Sequence, residues 1–149
     1  MEKGIIGVSG EYFVAAELSQ RGYVATLTLK NTPKVDILAT NLETGKYFNI
    51  QVKTMSVGNN TGWRLGPKDE VVSDIQNHFY IMVNLKGVGL LPEYYVIPQK
   101  ELAEYIYKDH RSYLERGGKD SSIRVFDPHK RSKDFGGKFK ENWELLDSK

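Results

Sequence analysis

Near the N-terminus the apolar positions recur at helical spacing: Val14, Ala15 and Leu18 follow Glu11 at i+3, i+4 and i+7. Ser9-Gly10 before this stripe and Gly22 after it act as capping residue and stop, so the pattern predicts a helix over 10–21. The spacing then changes to strand alternation. Three β-branched or alternating runs, 24–29, 35–40 and 47–54, are separated by Lys30-Asn-Thr-Pro-Lys34 and Asn41-Leu-Glu-Thr-Gly45, whose residues favour turns. The Gly- and Asn-rich stretch 56–70, with Trp63 and Arg64 near its middle, predicts a long loop of the kind that often carries function. Two further strands are predicted at 79–85 and 94–97. Pro98 then stands at the first position of a second helix whose stripe is Leu102, Tyr105, Ile106, Tyr113 and Leu114, ended by Gly117-Gly118. A polar, Lys-rich tail follows, and its apolar end, Trp143, Leu145 and Leu146, is expected to fold back onto the core.

This order, helix, three strands, loop, two strands, helix and tail, predicts an α/β chain of the α+β sandwich type, with a mixed central sheet flanked by helices. At 149 residues it fits one domain over 1–149, and 40% hydrophobic with 27% charged residues is ordinary for a globular chain. The net charge of +2 neither demands nor excludes a polyanionic partner. Cysteine is absent, which removes disulfides, zinc knuckles, Fe–S sites and thiol nucleophiles and leaves oxygen and nitrogen groups for any catalysis. No run of ~18 apolar residues and no signal-like N-terminus occurs, so the expected location is cytoplasmic, with no membrane partner.

The stretch 35–54 is the most informative. If Asn41 pairs with Lys46 across the intervening turn, Asp36 stands opposite Gln51, close enough for the two to hold a small ion between them. Alternation puts Asn49, Gln51 and Lys53 on one face and Phe48, Ile50 and Val52 on the other, so the apolar set faces the core. Glu11 lies on the packing stripe of the first helix and is expected to point toward the strand ends, where a cation would relieve its desolvation.

The order Glu11 on a first helix, Asp36 on a strand and Gln51-Val52-Lys53 on the next resembles the PD-(D/E)XK nuclease superfamily, also called the restriction-endonuclease-like fold. Gly10-Glu11, Leu18, Gly22, Val35-Asp36-Ile37 and Ile50-Gln51-Val52-Lys53-Thr54 are similar to its Holliday-resolvase-like and bacterial homing-endonuclease branches. The resemblance departs from the motif twice. Val35 stands where the motif has Pro, and Gln51 where it usually has Asp or Glu. It implies a catalytic set of Glu11, Asp36, Gln51 and Lys53. Asp36 would be the principal metal ligand, Glu11 an outer one, and Gln51 and the Val52 carbonyl further oxygen ligands. Lys53 would orient water or stabilise negative charge. Mg²⁺, or Mn²⁺ in its place, suits such ligands, and the implied reaction is phosphodiester hydrolysis in DNA, of homing or restriction type.

Trp63, Arg64 and Lys68 in the loop, Lys30 in the turn before Asp36, and Lys130 and Arg131 in the tail are candidate nucleic-acid contacts. The tail from Lys108 onward carries eleven basic against eight acidic residues. One site cuts one strand, so double-strand or junction cleavage implies a homodimer or larger assembly. The alternative is a nucleic-acid-binding module on the same fold, weak or inactive because Gln51 lacks a charge worth ~4 kcal/mol of attraction at 4 Å and an effective dielectric of 20. A third reading, a protein-interaction domain, leaves the Asp36 face without a chemical role. His78, His110 and His129 lack metal-ligand spacing and are read as packing or surface residues, and Asp69 and Glu70 as polar positions of a loop or short helix.

Overall fold

The computed structural model describes residues 2–29 and 32–147; the candidate contact Lys30 lies outside them. The first helix, α1 (Lys3–Gln20), begins about two turns before its predicted start. Gly4, Gly7 and Gly10 interrupt the apolar spacing there, so the early turns carry no amphipathic signature although they are helical. Gly10 is where α1 meets the sheet. A Cβ at this position would lie 1.8 Å from Thr54 Oγ1 and 2.9 Å from Thr54 Cβ. Gly10→Ala is therefore expected to destabilise the fold, since overpacking costs ~1–3 kcal/mol against at most ~1 kcal/mol gained in helix propensity. Thr54→Ala in the same chain should restore part of the loss, and thermal denaturation of the single and double variants measures both.

After α1 come β1 (Tyr23–Leu27), β2 (Ile37–Asn41) and β3 (Tyr47–Met55). The 56–70 stretch is not all loop: it contains β4 (Trp63–Leu65) and a 3-10 turn, Pro67–Glu70. β5 (His78–Asn84) and β6 (Glu93–Pro98) lead into α2 (Gln99–Glu115), so Pro98 closes the strand and caps the helix rather than forming its first turn. The tail holds β7 (Arg124–Phe126), α3 (Lys133–Gly136) and a final 3-10 turn, Trp143–Leu146. β1, β2, β3, β5 and β6 form one sheet in that order, antiparallel except for the β3–β5 pair, and β4 pairs with β7 as a separate ribbon.

Strand alternation divides the apolar residues between two layers. Val14 and Leu18 of α1 and Trp143 and Leu146 of the tail pack with Ile37, Ile50 and Ile81 on one face, so the tail does return to the core. On the other face Leu102 and Ile106 of α2 pack with Tyr80, Met82, Tyr95 and Ile97, and the ribbon adds Trp63, Leu65 and Phe126. α2 lies over β5 and β6. Its offset leaves the polar positions of β3, Asn49, Gln51 and Lys53, only partly covered.

Candidate active site

The β2–β3 pairing runs from Ile37 opposite Ile50 to Thr40 opposite Tyr47, and the Asn41 N–H donates to Lys46 O at 2.7 Å, the register read from the turn. The ladder stops one residue short of Asp36, whose backbone is nevertheless gripped from both sides. Its N–H donates to Ile50 O at 2.8 Å and its carbonyl accepts from the Thr28 N–H at 2.9 Å, while the Thr28 hydroxyl donates to Val35 O at 2.7 Å. Beyond the ladder the Val52 N–H meets no β2 backbone carbonyl, and the Asp36 carboxylate replaces it, Oδ2 accepting from that N–H at 2.8 Å. The carboxylate thus reaches one residue past Gln51. Because the N–H and C=O of one strand residue point to the same edge, the Val52 carbonyl shares that edge with Asp36.

Burial pushes the Asp36 carboxyl above its ordinary value, against the opposing pull of the Val52 N–H and the Lys53 charge. Burial also raises Glu11, and the negative charge of Asp36 raises it further. Each effect weakens with distance, so Glu11 of α1, Asp36 and Lys53 share one electrostatic neighbourhood. Gln51 Oε1 is buried and has no hydrogen-bond partner. A carboxylate under desolvation, a second one repelled by it, an orphaned amide oxygen and an edge carbonyl are hard oxygen donors that fit Mg²⁺ or Mn²⁺. Among the described residues no three His, Cys, Asp or Glu side chains form a metal cage; the set has two carboxylates and relies on the amide for its third side chain.

Residues beneath this cluster were not read from the sequence as part of it. Tyr80, the register partner of Gln51 on β5, donates its hydroxyl to Asp69 Oδ1 at 2.5 Å, and Asp69 Oδ2 accepts from the Gly66 N–H at 2.8 Å. Asp69 is therefore a buried brace rather than a surface residue of its turn. His78 Nε2 donates to Lys34 O at 2.9 Å, steadying a backbone turned to a φ of 62° two residues before Asp36. Burial lowers the pKa of His78, so the packing role read for it stands. Neither contact had a sequence signal, because each joins β5 to a turn outside regular alternation.

The candidate nucleic-acid contacts separate into groups. Trp63 is corrected: at 4% exposure it packs against Tyr95 and Phe126, and its indole N–H donates to Lys53 O at 3.1 Å, leaving no face for a base. Arg131 engages Asp109 at 2.7 Å and lies over the Tyr113 ring, so its charge is already matched. Arg64, Lys68 and Lys130 are exposed. Of these Arg64 shares with Lys53 a cleft of about 540 Å³ between α1 and the 56–64 segment. That cleft lies beside the Asp36 cluster, and its lining includes neither Asp36 nor Gln51.

The mixed five-stranded sheet between two helical layers is a fold that this chain shares with known proteins. Two solved structures share it. The bacterial homing endonuclease I-Ssp6803I is similar over 98% of this chain and 93% of its own, with a TM-score of 0.58 and 13% identity. The Holliday junction resolvase Hjc of Archaeoglobus fulgidus is similar over 96% of this chain and 97% of its own, with a TM-score of 0.52 and 14% identity. No family model matches the sequence, and neither does any curated protein. No helix among the described residues is long and apolar enough to cross a membrane.

Proposed function

We propose that this protein is a metal-dependent endonuclease that hydrolyses phosphodiester bonds in DNA, with Glu11, Asp36, Gln51 and Lys53 as its active site. The observation that carries the reading is the Asp36 carboxylate, taken out of water and bonded to the Val52 N–H, with Glu11 and Lys53 inside its electrostatic reach on a nuclease fold. Asp36, Gln51 Oε1, the Val52 carbonyl and Glu11 would hold Mg²⁺ or Mn²⁺, which when bound polarises a phosphate and lowers the pKa of water. Lys53 extends from the same strand as Gln51. Its ammonium donates hydrogen bonds to a phosphate oxygen or to the attacking water and offsets the charge that develops as the P–O bond breaks. Tyr80 and Asp69 keep the floor beneath Gln51 rigid, and His78 holds the turn that delivers Asp36. Each chain supplies one such cluster, so cutting both strands of a duplex takes a homodimer or larger assembly; a homing or restriction role is compatible with that.

Gln51 favours a second reading, a nucleic-acid-binding module whose cation affinity is too low for turnover, since the amide lacks the charge a carboxylate brings to the site. Incubating supercoiled plasmid and a four-way junction with the protein and Mg²⁺ or Mn²⁺ separates the two. Under the first reading wild type nicks, Lys53→Ala does not, and Gln51→Glu cuts with an altered metal preference. Under the second only Gln51→Glu cuts. Equal nicking by wild type and Lys53→Ala rejects the assigned site.

A further inference from the structure

The cleft beside Lys53 has one wall from the first turns of α1 and the other from the segment between β3 and β4. Lys3, Lys53 and Arg64 line it, with Ser56, Asn59 and Thr61 between them, and no carboxylate is among its lining residues. Among the described residues Lys86 pairs with Glu93, Arg124 with Glu70, Arg131 with Asp109 and Arg21 with Glu17, while Lys68, Lys130 and other surface cations make no ion pair. Lys3, Lys53 and Arg64 make no salt bridge among the described residues; Lys53 feels the charge of Asp36 outside the cleft, but within the concavity like charges are gathered with no carboxylate in the lining, an arrangement that attracts a polyanion. Asn59 Oδ1 already accepts from the Thr61 N–H and hydroxyl, at 3.0 and 2.8 Å, which leaves the Asn59 amide N–H groups as its remaining donors.

Gly7 supplies an independent observation. It lines this cleft in the second turn of α1, and a Cβ there would meet nothing within 4 Å. A helix-interior glycine costs ~0.8–1 kcal/mol relative to alanine, and the packing of this chain gives no return for it, in contrast to Gly10 against Thr54. Gly4, one turn earlier, is open in the same way though outside the cleft lining, so the two together leave a stripe of α1 without side chains, along which a ligand backbone can lie.

We infer that this cleft is a nucleic-acid subsite adjoining the proposed catalytic cluster, in which Lys3 and Arg64 bind backbone phosphates of the strand being cut and Gly7 lets the strand lie against α1. The inference deepens the nuclease reading and rests on it for the identity of the ligand. Lys53 stands where the cleft meets the Asp36 strand, so a strand seated in the cleft passes its next phosphate to the catalytic lysine. Thr61 and Arg64 also line a smaller hollow bounded by Arg131 and Tyr113, so Arg64 stands at the junction of two concavities.

The test measures binding apart from cleavage, by anisotropy of a fluorescein-labelled single strand and a labelled duplex in EDTA across a salt series. Lys3→Gln with Arg64→Gln is expected to weaken binding at least ~10-fold and to flatten the slope of log K against log salt by ~1.4 for the single strand and ~1.8 for the duplex, two phosphate contacts in each case. Lys130→Gln, an exposed cation of the tail, should change neither by as much. Gly7→Leu should reduce affinity without lowering the melting temperature. Wild-type affinity and salt slope in the double variant, or in Gly7→Leu, overturn the inference even if the enzyme cuts. Salt-insensitive binding by the wild type overturns it as well. Loss of affinity in these variants with no cutting by any form leaves the subsite standing and removes the nuclease reading.

Discussion

Asp36→Asn is expected to lower strand cleavage by ~10²–10³ or more, the scale of losing a charge-stabilising group from an active site, and at the same time to make the metal-free protein more stable at neutral pH. The second effect follows from the direction in which burial moves this carboxyl. Its proton affinity is higher in the fold than in the unfolded chain, so between the unfolded and folded values the native state binds more protons. Stability then falls as pH rises through that window. Below the unfolded value both states are protonated and the group contributes no difference; above the raised folded value the full penalty is present. Asparagine keeps an oxygen for the Val52 N–H and removes the charge. Wild type and variant should thus melt together in acid, near pH 3, and separate as the pH is raised, with the variant higher in EDTA. Glu11, raised partly by the charge of Asp36, should relax toward its ordinary value in the variant. A divalent cation reverses the ranking. At a hundredfold excess over its Kd it stabilises wild type by ~2.7 kcal/mol, a rise of ~5–10 °C for a chain of this size, and leaves Asp36→Asn unmoved. Calorimetry at pH 3 and pH 7, with and without Mg²⁺, reads all of these, and a variant less stable than wild type at pH 7 in EDTA contradicts the account.

Phe126→Ala is expected to have the largest effect on stability. Phe126 is 0% exposed, sits against Trp63 and Tyr95 with ring centroids 5.7 Å away in both cases, and also meets Phe135. Truncating a buried phenylalanine costs ~3–5 kcal/mol, about 6–20 °C in Tm at this chain length. The damage extends beyond a cavity. Phe126 is the register partner of Trp63, and a Cβ on Gly62 would lie 2.7 Å from Phe126 O, so the 56–64 segment crosses β7 at backbone contact. Loosening that crossing frees Arg64 and the Trp63 bond to Lys53 O together. The variant should melt early in thermal denaturation and, well below its midpoint, bind nucleic acid less tightly than wild type, whereas a destabilising change away from the cleft, such as Leu146→Ala beside Tyr23, should spare binding.

The sequence carried the parts of this molecule that are local. The turn 41–46 and the alternation on each side of it set the β2–β3 register, and with it the proximity of Asp36 to the Gln51-Val52-Lys53 strand. Trp143 and Leu146 announced their burial because apolar residues in a lysine-rich tail have nowhere else to go. What escaped had a physical cause in each case. Glycines at 4, 7 and 10 erased the periodicity of the first turns of α1, which hid Lys3 from the site. β4 and β7 are three residues each and far apart in the chain, too short for alternation to register. Trp63, set in a Gly- and Asn-rich stretch, resembled a surface aromatic until that pairing buried it. Asp69 and Tyr80 meet where the Pro67–Glu70 turn packs back against β5, a contact that no local pattern announces.

The β4–β7 ribbon also orders events in time. Every neighbour that the five-stranded sheet needs has been synthesised by Pro98, whereas β4 has no partner until Arg124–Phe126 has emerged. Contacts that span so much chain close slowly, because loop entropy must be overcome before they form. The α1 side of the sheet can begin to pack while the far wall of the cleft is still unanchored, although Trp143 and Leu146 complete that face only after β7 has emerged, and the groove acquires its shape when the C-terminal third arrives. A chain interrupted before β7 would retain Glu11, Asp36, Gln51 and Lys53 yet lack the walls that guide a strand to them, so the machinery for cutting and the machinery for holding are completed at different moments of biosynthesis.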